Sequence, residues 1–369
     1  MALNFFDDQK DDYLPPISEK ELSDEDVLVE LDDFHKNMKN DVVVLGHHYQ
    51  QDDIIRYADI TGDSLALARE ARDISKPFII FCGVHFMAET ADILKRPNQT
   101  VILPDLKAGC SMADMANRRE IDKAWSTLTN WTKDKIIPVT YINSDSYLKA
   151  FVGDHEGSIC TSSNAEKIIR WALDRGQKLL FFPDQHLGRN TCFKMGIPLE
   201  QMVVYNPNMY QGGLTPEQVD KAKVILWYGY CSVHQGFTPD QVVQIRKNHP
   251  NMKVIVHPEC QFEVVQKSDL AGSTNYIINT IAKAPVGSEF AVGTEINLVN
   301  RLAKQYPDKK IISLSPYQCL CTTMYRVRPR WLLASYRAIS AGKPINIITV
   351  PDEIKKSAIV ALDRMLSVS

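Results

Sequence analysis

The sequence predicts an α/β protein made of three similar units, each a parallel sheet with covering helices. Three observations lead there. Short β-like runs alternate with helical stretches along most of the chain, the pattern of parallel strands joined by helical crossovers. A weak internal repeat relates residues 102–109 (ILPDLKAG) to 181–188 (FFPDQHLG): a strand end, Pro-Asp, three residues, then Gly. And three strands run into polar strings, His47-His48-Tyr49-Gln50, Thr140-Tyr141-Ile142-Asn143 and Cys231-Ser232-Val233-His234.

The elements follow in order. After a Pro15-Pro16 break, an amphipathic helix is expected over 18–40, where Leu22, Val27, Leu28, Leu31 and Phe34 recur at helical spacing among carboxylates. Strands are expected at 41–47, 77–82, 100–104, 136–142, 157–160, 178–182, 223–228, 253–257, 275–280, 289–292 and 309–314. Helices are expected at 64–74, 164–175, 239–248 and 296–306, with a closing helix at 355–366. The organisation is then an N-terminal extension (1–40), three α/β units (41–133, 134–222 and 223–315) and a C-terminal segment (316–369). Ligands of open parallel sheets bind beyond the carboxyl ends of strands. Three units facing one another would share a central cavity there.

Composition excludes several functions. Forty-two Lys and Arg against 45 Asp and Glu leave a net charge of −3, without the positive excess of a nucleic-acid surface. The acidic start, Met1 to Asp8, lacks a basic segment followed by an apolar one, so no secretory signal is expected. The apolar run 77–82 is too short to span a bilayer. A cytoplasmic protein without membrane partners is expected. Its eight cysteines lack framework spacing and any C-x-x-C, so they read as metal ligands, nucleophiles or core residues rather than disulfides.

Three cysteines stand in distinctive strings after strand-like runs: Ala108-Gly109-Cys110, Tyr230-Cys231-Ser232-Val233-His234 and Cys321-Thr322-Thr323-Met324. Three thiolates on one site suit an iron–sulfur cluster with one iron left open, or a zinc with an open position. Cys319 rivals Cys321, because C-x-C lets either point inward. Cys82 reads as core and Cys260 as a neighbour of the site. His257-Pro258-Glu259 ends a strand and reads as a polar pocket. A partly buried Glu259 is expected to have a raised pKa and to exchange a proton near neutrality, with His257 donating to a substrate carboxylate. Gly62-Asp63-Ser64, Thr161-Ser162-Ser163-Asn164 and Gly272-Ser273-Thr274 stand at helix starts, where they either cap the helix or receive carboxylate or phosphate. Walker A, G-x-G-x-x-G and H-E-x-x-H patterns are absent.

Taken together, HHYQ (47–50), ADITGDSLALA (58–68), GVHFMAETADIL (83–94), LPDLKAGCSMA (103–113), VTYINSDSYLKA (139–150), CTSSNA (160–165), FFPDQHLG (181–188), YCSVH (230–234), HPEC (257–260), AGST (271–274), VGTE (292–295) and CTTM (321–324) resemble the quinolinate synthase family, the A proteins of bacterial NAD biosynthesis. The resemblance implies three α/β domains around a pseudo-threefold axis, with a [4Fe–4S] cluster at their junction. It implies condensation of iminoaspartate with dihydroxyacetone phosphate to quinolinate, losing phosphate and two waters. The family's cluster ligands carry over onto Cys110, Cys231 and Cys321, the last because the family string is C-x-x-M, and the open iron would act as a Lewis acid. Tyr49 and Glu259 resemble the pair that handles protons in the late dehydration, and His47, Tyr141, Asn143 and His257 the polar lining. Ser64, Ser162, Ser273 and Thr274 resemble the residues receiving carboxylate or phosphate, with Ser163 the alternative to Ser162. His48 departs from the family's usual Tyr. Because iminoaspartate is unstable, an aspartate-oxidising or aspartate-dehydrogenating enzyme is expected upstream. A zinc-dependent aldolase or dehydratase and a non-catalytic cluster-bearing redox sensor are the competing readings of the same thiolates.

Overall fold

The computed structural model describes residues 17–368 apart from 19 and 318; the expected Pro15-Pro16 break lies outside the described residues. The first sheet contains β1 (Val42–His47), β2 (Ile60–Gly62), β3 (Phe78–Cys82) and β4 (Thr100–Ile102). The second contains β5 (Ile136–Tyr141), β6 (Ser158–Cys160), β7 (Lys178–Phe182), β8 (Met202–Tyr205) and β9 (Val224–Trp227). The third contains β10 (Lys253–Val256), β11 (Leu270–Ala271), β12 (Glu289–Gly293) and β13 (Lys310–Ser313). A late strand, β14 (Ile347–Ile348), returns antiparallel to β4; every other pairing is parallel.

In space the sheets run β14-β4-β3-β1-β2, β6-β5-β7-β9-β8 and β11-β10-β12-β13. Each therefore has its first strand between its second and its third, with a further strand beside the third. β1, β5 and β7 are buried at every position. Helices on both sheet faces leave no solvent side, so these strands read as continuous apolar runs rather than alternation.

Three sequence expectations are corrected. Residues 275–280 are not a strand but the middle of the helix Thr274–Lys283. Its apolar run imitates a strand, but Ile277 and Ile281 are buried four residues apart and the Ser273 hydroxyl caps the start, accepting from the Tyr276 N–H at 3.3 Å. The strand expected to open the third unit, β9, pairs with β7 in the second sheet (Leu179 opposite Val224). It is fully buried, and a buried apolar run carries no information about its partner. Finally, the 102–109/181–188 repeat joins unlike positions. Pro104-Asp105 follows the strand β4 into a loop, whereas Asp184 after β7 caps the helix Gln185–Lys194. The strands missed entirely were β2, β11 and β14, two or three residues each and too short to show a period, and the four-residue edge strand β8.

The N-terminal helix is shorter than expected, Asp24–Asn37, started by the Ser23 cap. It packs on the helix Pro329–Ser340 through Val27 and Leu31 against Leu332, Leu333 and Tyr336. Each buried aliphatic contributes ~1.5–3 kcal/mol. The accompanying Arg337–Glu30 pair is partly exposed and contributes ~0–1 kcal/mol, so packing decides this contact. The closing helix, Asp352–Val368, lies so close to the helix Ser146–Asp154 that a Cβ on Gly153 would meet the Ser357 carbonyl oxygen at 2.0 Å. Among the described residues no helix is long and apolar enough to cross a membrane.

Candidate active site at the meeting of three sheets

Strand register defines matching positions in the three sheets. Gly46 pairs with Cys82, Thr140 with Phe182 and Val256 with Gly293; in each case the third strand is followed two residues later by a helix N-cap, Val84, Asp184 or Glu295. The next first-strand residues are His47, Tyr141 and His257, and two further on come Tyr49, Asn143 and Glu259. On the second strands, Gly62 pairs with His47, Cys160 with Tyr141 and Ala271 with Val256. The matching residues just beyond are Ser64 and Thr274, each the first of a helix, and Ser162, in the turn before the helix Ala165–Leu173. All nine side chains line one cavity at the carboxyl ends of the strands. Extended segments put residues i and i+2 on one side, which is why each strand end delivers two groups.

The cysteines arrive from the strand beside the third. Ile102, Ile225 and Ile312 are its matching residues, opposite Ile80, Leu180 and Ala291. Cys110, Cys231 and Cys321 follow these by eight, six and nine residues, and all three line the cavity. Each precedes a helical turn, Ala113–Met115, Ser232–Gln235 or Met324–Arg326, whose backbone N–H groups aim at the sulfur. Cys319 does not line the cavity; it packs against the core of the third sheet. Cys82, Cys160, Cys192 and Cys260 are fully buried core residues.

Burial pushes the Cys110 thiol up to about 12, and the Cys321 thiol opposes its ionisation further. Burial likewise raises Cys231, helped by Glu259, Cys110 and Cys321, and burial raises Cys321. Three buried thiols whose ionisation is opposed by burial and, for Cys110 and Cys231, by neighbouring thiols are a donor set that a cationic metal centre would satisfy. Cys231, His234 and Glu259 also bring donor atoms within 4.8 Å of one another.

Glu259 is the hub of a buried hydrogen-bond chain. Its Oε1 accepts from the Tyr141 hydroxyl at 2.5 Å, and its Oε2 meets His234 Nδ1 at 2.9 Å. His234 Nε2 lies 3.2 Å from the Thr294 hydroxyl, which lies 2.8 Å from the Tyr49 hydroxyl; Tyr49 also meets Thr274 at 3.1 Å. His234 stacks on His257 at 4.5 Å. The expected rise in the Glu259 pKa does not occur. Burial pushes the carboxyl up, but His257, His234 and the hydrogen bonds from His234 and Tyr141 outweigh it, holding the group below the usual carboxylate range. Burial and Glu259 push the Tyr49 and Tyr141 phenols far above 10. Burial, helped by His48, lowers His47 to about 3, and burial lowers His257 to about 3 against the pull of Glu259. Both rings are fixed alike: Nδ1 of His47 accepts from the Tyr49 N–H (3.1 Å) and Nδ1 of His257 from the Glu259 N–H (3.3 Å). Each neutral ring then carries its proton on Nε2.

Other candidates fall into place around this core. Ser162 lines the cavity, while the Ser163 hydroxyl is bound to Asp63 at 2.9 Å. Ser273 does not line the cavity, its hydroxyl being the cap of the Thr274–Lys283 helix. His48 stands outside it, hydrogen-bonded to Asn275. Asn143, in the cavity lining, has its Oδ1 buried without a hydrogen-bond partner. Sequence reasoning had not assigned roles to His234 and Thr294. The first follows Cys231 by three residues and the second follows the β12 strand end, signals that mean little until register is known. Among the described residues, no Lys or Arg lines the cavity.

A family model described as quinolinate synthetase A protein matches residues 31–367. The chain is 53% identical over 332 residues to the quinolinate synthase of Herpetosiphon aurantiacus, covering 89% of this chain and 88% of that one. It is 50% identical over 364 residues to that of Anoxybacillus flavithermus, covering 97% and 98%, and 50% identical over 355 residues to that of Corynebacterium glutamicum, covering 96% and 90%.

Proposed function

The chain belongs to the quinolinate synthase family, enzymes of NAD biosynthesis, and on that premise we propose how its cavity makes quinolinate. Iminoaspartate and dihydroxyacetone phosphate condense there to quinolinate, releasing phosphate and two waters. The single observation that carries this reading is the convergence of nine strand-end and helix-start side chains with three cysteines in one buried cavity.

Cys110, Cys231 and Cys321 would hold a [4Fe–4S] cluster; their number, their place in one cavity lining, the burial that opposes their ionisation and the N–H groups aimed at their sulfurs fit one. When bound, it supplies a Lewis acid toward substrate oxygen. The remaining work falls to the protein. Without Lys or Arg in the lining, the substrates' negative groups go to the hydroxyls of Ser64, Ser162 and Thr274, with Ser273 acting only through its cap, and to free N–H groups at the helix starts. His47 and His257 donate their Nε2–H to carboxylate or carbonyl oxygen. Asn143 Oδ1 accepts from substrate nitrogen or hydroxyl.

Glu259, held ionised by its neighbours, takes the proton from carbon as water leaves, with Tyr141 steadying the carboxylate. Tyr49, kept protonated by burial, returns a proton to a leaving or rearranging oxygen. The matching strand orders and registers support a pseudo-threefold relation among the units. A cytoplasmic setting, with an aspartate-oxidising enzyme supplying iminoaspartate, completes the proposal.

One observation favours a second reading. Cys231, His234 and Glu259 would suit a single zinc. Anaerobic purification, an absorption spectrum and assays of iron, sulfide and zinc separate the two. Brown protein with equal iron and sulfide that forms quinolinate supports the cluster, and a colourless, fully active zinc protein overturns it.

A further inference from the structure

We propose that Asp63 is a positioning residue that fixes three substrate-binding hydroxyls, one from each sheet, into a single anion cradle. The inference rests on the assignment of Ser64, Ser162 and Thr274 to substrate anions. Ser64 and Thr274 are the first residues of the helices Ser64–Asp73 and Thr274–Lys283, and Ser162 stands at the matching position in the turn that leads into the helix Ala165–Leu173. They belong to different sheets, so nothing in local sequence holds them at a common spacing.

Asp63 reaches the segment that carries each of the three. Its Oδ1 accepts from the Ala66 N–H at 2.9 Å and caps the first helix. Its Oδ2 accepts from the Ser163 hydroxyl at 2.9 Å and from Asn275 Nδ2 at 2.8 Å. Ser163 and Asn275 are the residues directly after Ser162 and Thr274, again at matching positions. One carboxylate thus ties the helix start of its own unit to those of the other two. His48, left without a role by sequence reasoning, joins the cluster through Asn275.

Asp63 borders the cavity, but both its carboxylate oxygens are taken by protein donors, which supports positioning over contact. A negative group beside an anion site costs affinity through repulsion. Only a carboxylate offers acceptor lone pairs on both oxygens, and both are engaged by protein donors. Asn at this position would still cap the helix, but it would turn an N–H toward either the cap or the two donors.

Steady-state kinetics of the cluster-loaded enzyme test this, with iminoaspartate generated in situ. Asp63→Asn is expected to raise KM for at least one substrate by ~10–100-fold, the scale of losing charge-assisted hydrogen bonds, with kcat changed far less. Asp63→Asn combined with Asn275→Asp, which restores a carboxylate–amide pair in reverse, is expected to recover most of the KM. A merely structural role would lower the thermal midpoint without the KM–kcat split or the rescue. Ser163→Ala and Asn275→Ala give smaller KM increases and carry the test if Asp63→Asn does not fold. Ser64→Ala and Thr274→Val report on the underlying assignment. If they raise KM while Asp63→Asn, or both smaller variants, leave it unchanged, the positioning role is overturned and the cradle stands. If they leave KM unchanged, the cradle itself is wrong and the role of Asp63 falls with it.

Discussion

The two sides of the cavity are built by opposite means. At the ends of the first strands the backbone repeats and the chemistry changes: matching positions carry His47, Tyr141 and His257, then Tyr49, Asn143 and Glu259. Beyond β4, β9 and β13 the chemistry repeats and the backbone changes: loops of three lengths each deliver one cysteine. Catalysis of a multistep reaction needs different groups at fixed places, and a repeated register supplies the places. The metal centre proposed for the cysteines would need the same atom three times, and loops are free to vary in length to bring it.

This contrast is sharpest at the cysteines, where the largest effects are expected. Cys110→Ser, Cys231→Ser and Cys321→Ser should each remove most bound iron and all measurable quinolinate formation, whereas Cys319→Ser should keep both. Iron retained by Cys321→Ser but lost by Cys319→Ser would move the third ligand by two residues. On the strand-end side, Glu259→Gln should keep its iron and lose turnover by ~10²–10⁴-fold, as for loss of an acid–base group. Near-normal turnover with iron intact would remove Glu259 from the chemistry and leave Tyr49 as the next candidate.

A smaller loss, ~10-fold, is expected for Thr294→Val, which strips a buried hydroxyl from between His234 and Tyr49; Thr294→Ser should restore most of it. The matching residues in the other sheets are Gly83 and Pro183, so this hydroxyl is particular to the third unit. Cys82→Ser, Cys160→Ser and Cys192→Ser should leave the iron-to-protein ratio unchanged.

The slightest effect concerns pH. His47 and His257 have folded pKa values near 3, below an unfolded value of ~6.5. Between those values the unfolded chain binds more protons, so their contribution is lost as pH falls from ~6.5 toward 3. In metal-free protein, His47→Asn with His257→Asn should flatten the dependence of the thermal midpoint on pH across that window. An unchanged slope would mean that the rings are not buried neutral.

Much of the cavity lining was legible in the sequence because the cavity lies at strand ends, where an apolar run stops and polar letters begin. His47, Tyr141, His257 and Glu259 announced themselves in this way, and so did the cysteine strings. What stayed hidden depended on pairing. β9 gave no sign of joining the second sheet, and the apolar run after Ser273 looked extended until its cap fixed it as a helix. C-x-C alone left Cys319 and Cys321 as rivals and only the resemblance favoured Cys321; in the structure Cys321 lines the cavity and Cys319 packs against the third sheet's core. The direction of the Glu259 shift was misread because burial is visible in a sequence and the partners that outweigh it are not. His234 and Thr294 lie 60 residues apart and gain meaning only as neighbours.

That each sheet gives one cysteine, and only one, to the cavity bears on biogenesis. A nascent chain that has made its first unit exposes one ligand, and two units give two. Whatever the three thiols hold is captured in full only after residues up to Cys321 have emerged and all three sheets have docked. With the proposed metal centre on these thiols, loading would be a late step, and its binding free energy would hold the units together rather than form any one of them. Loss of the centre would then loosen the seams between units before it unfolds a sheet.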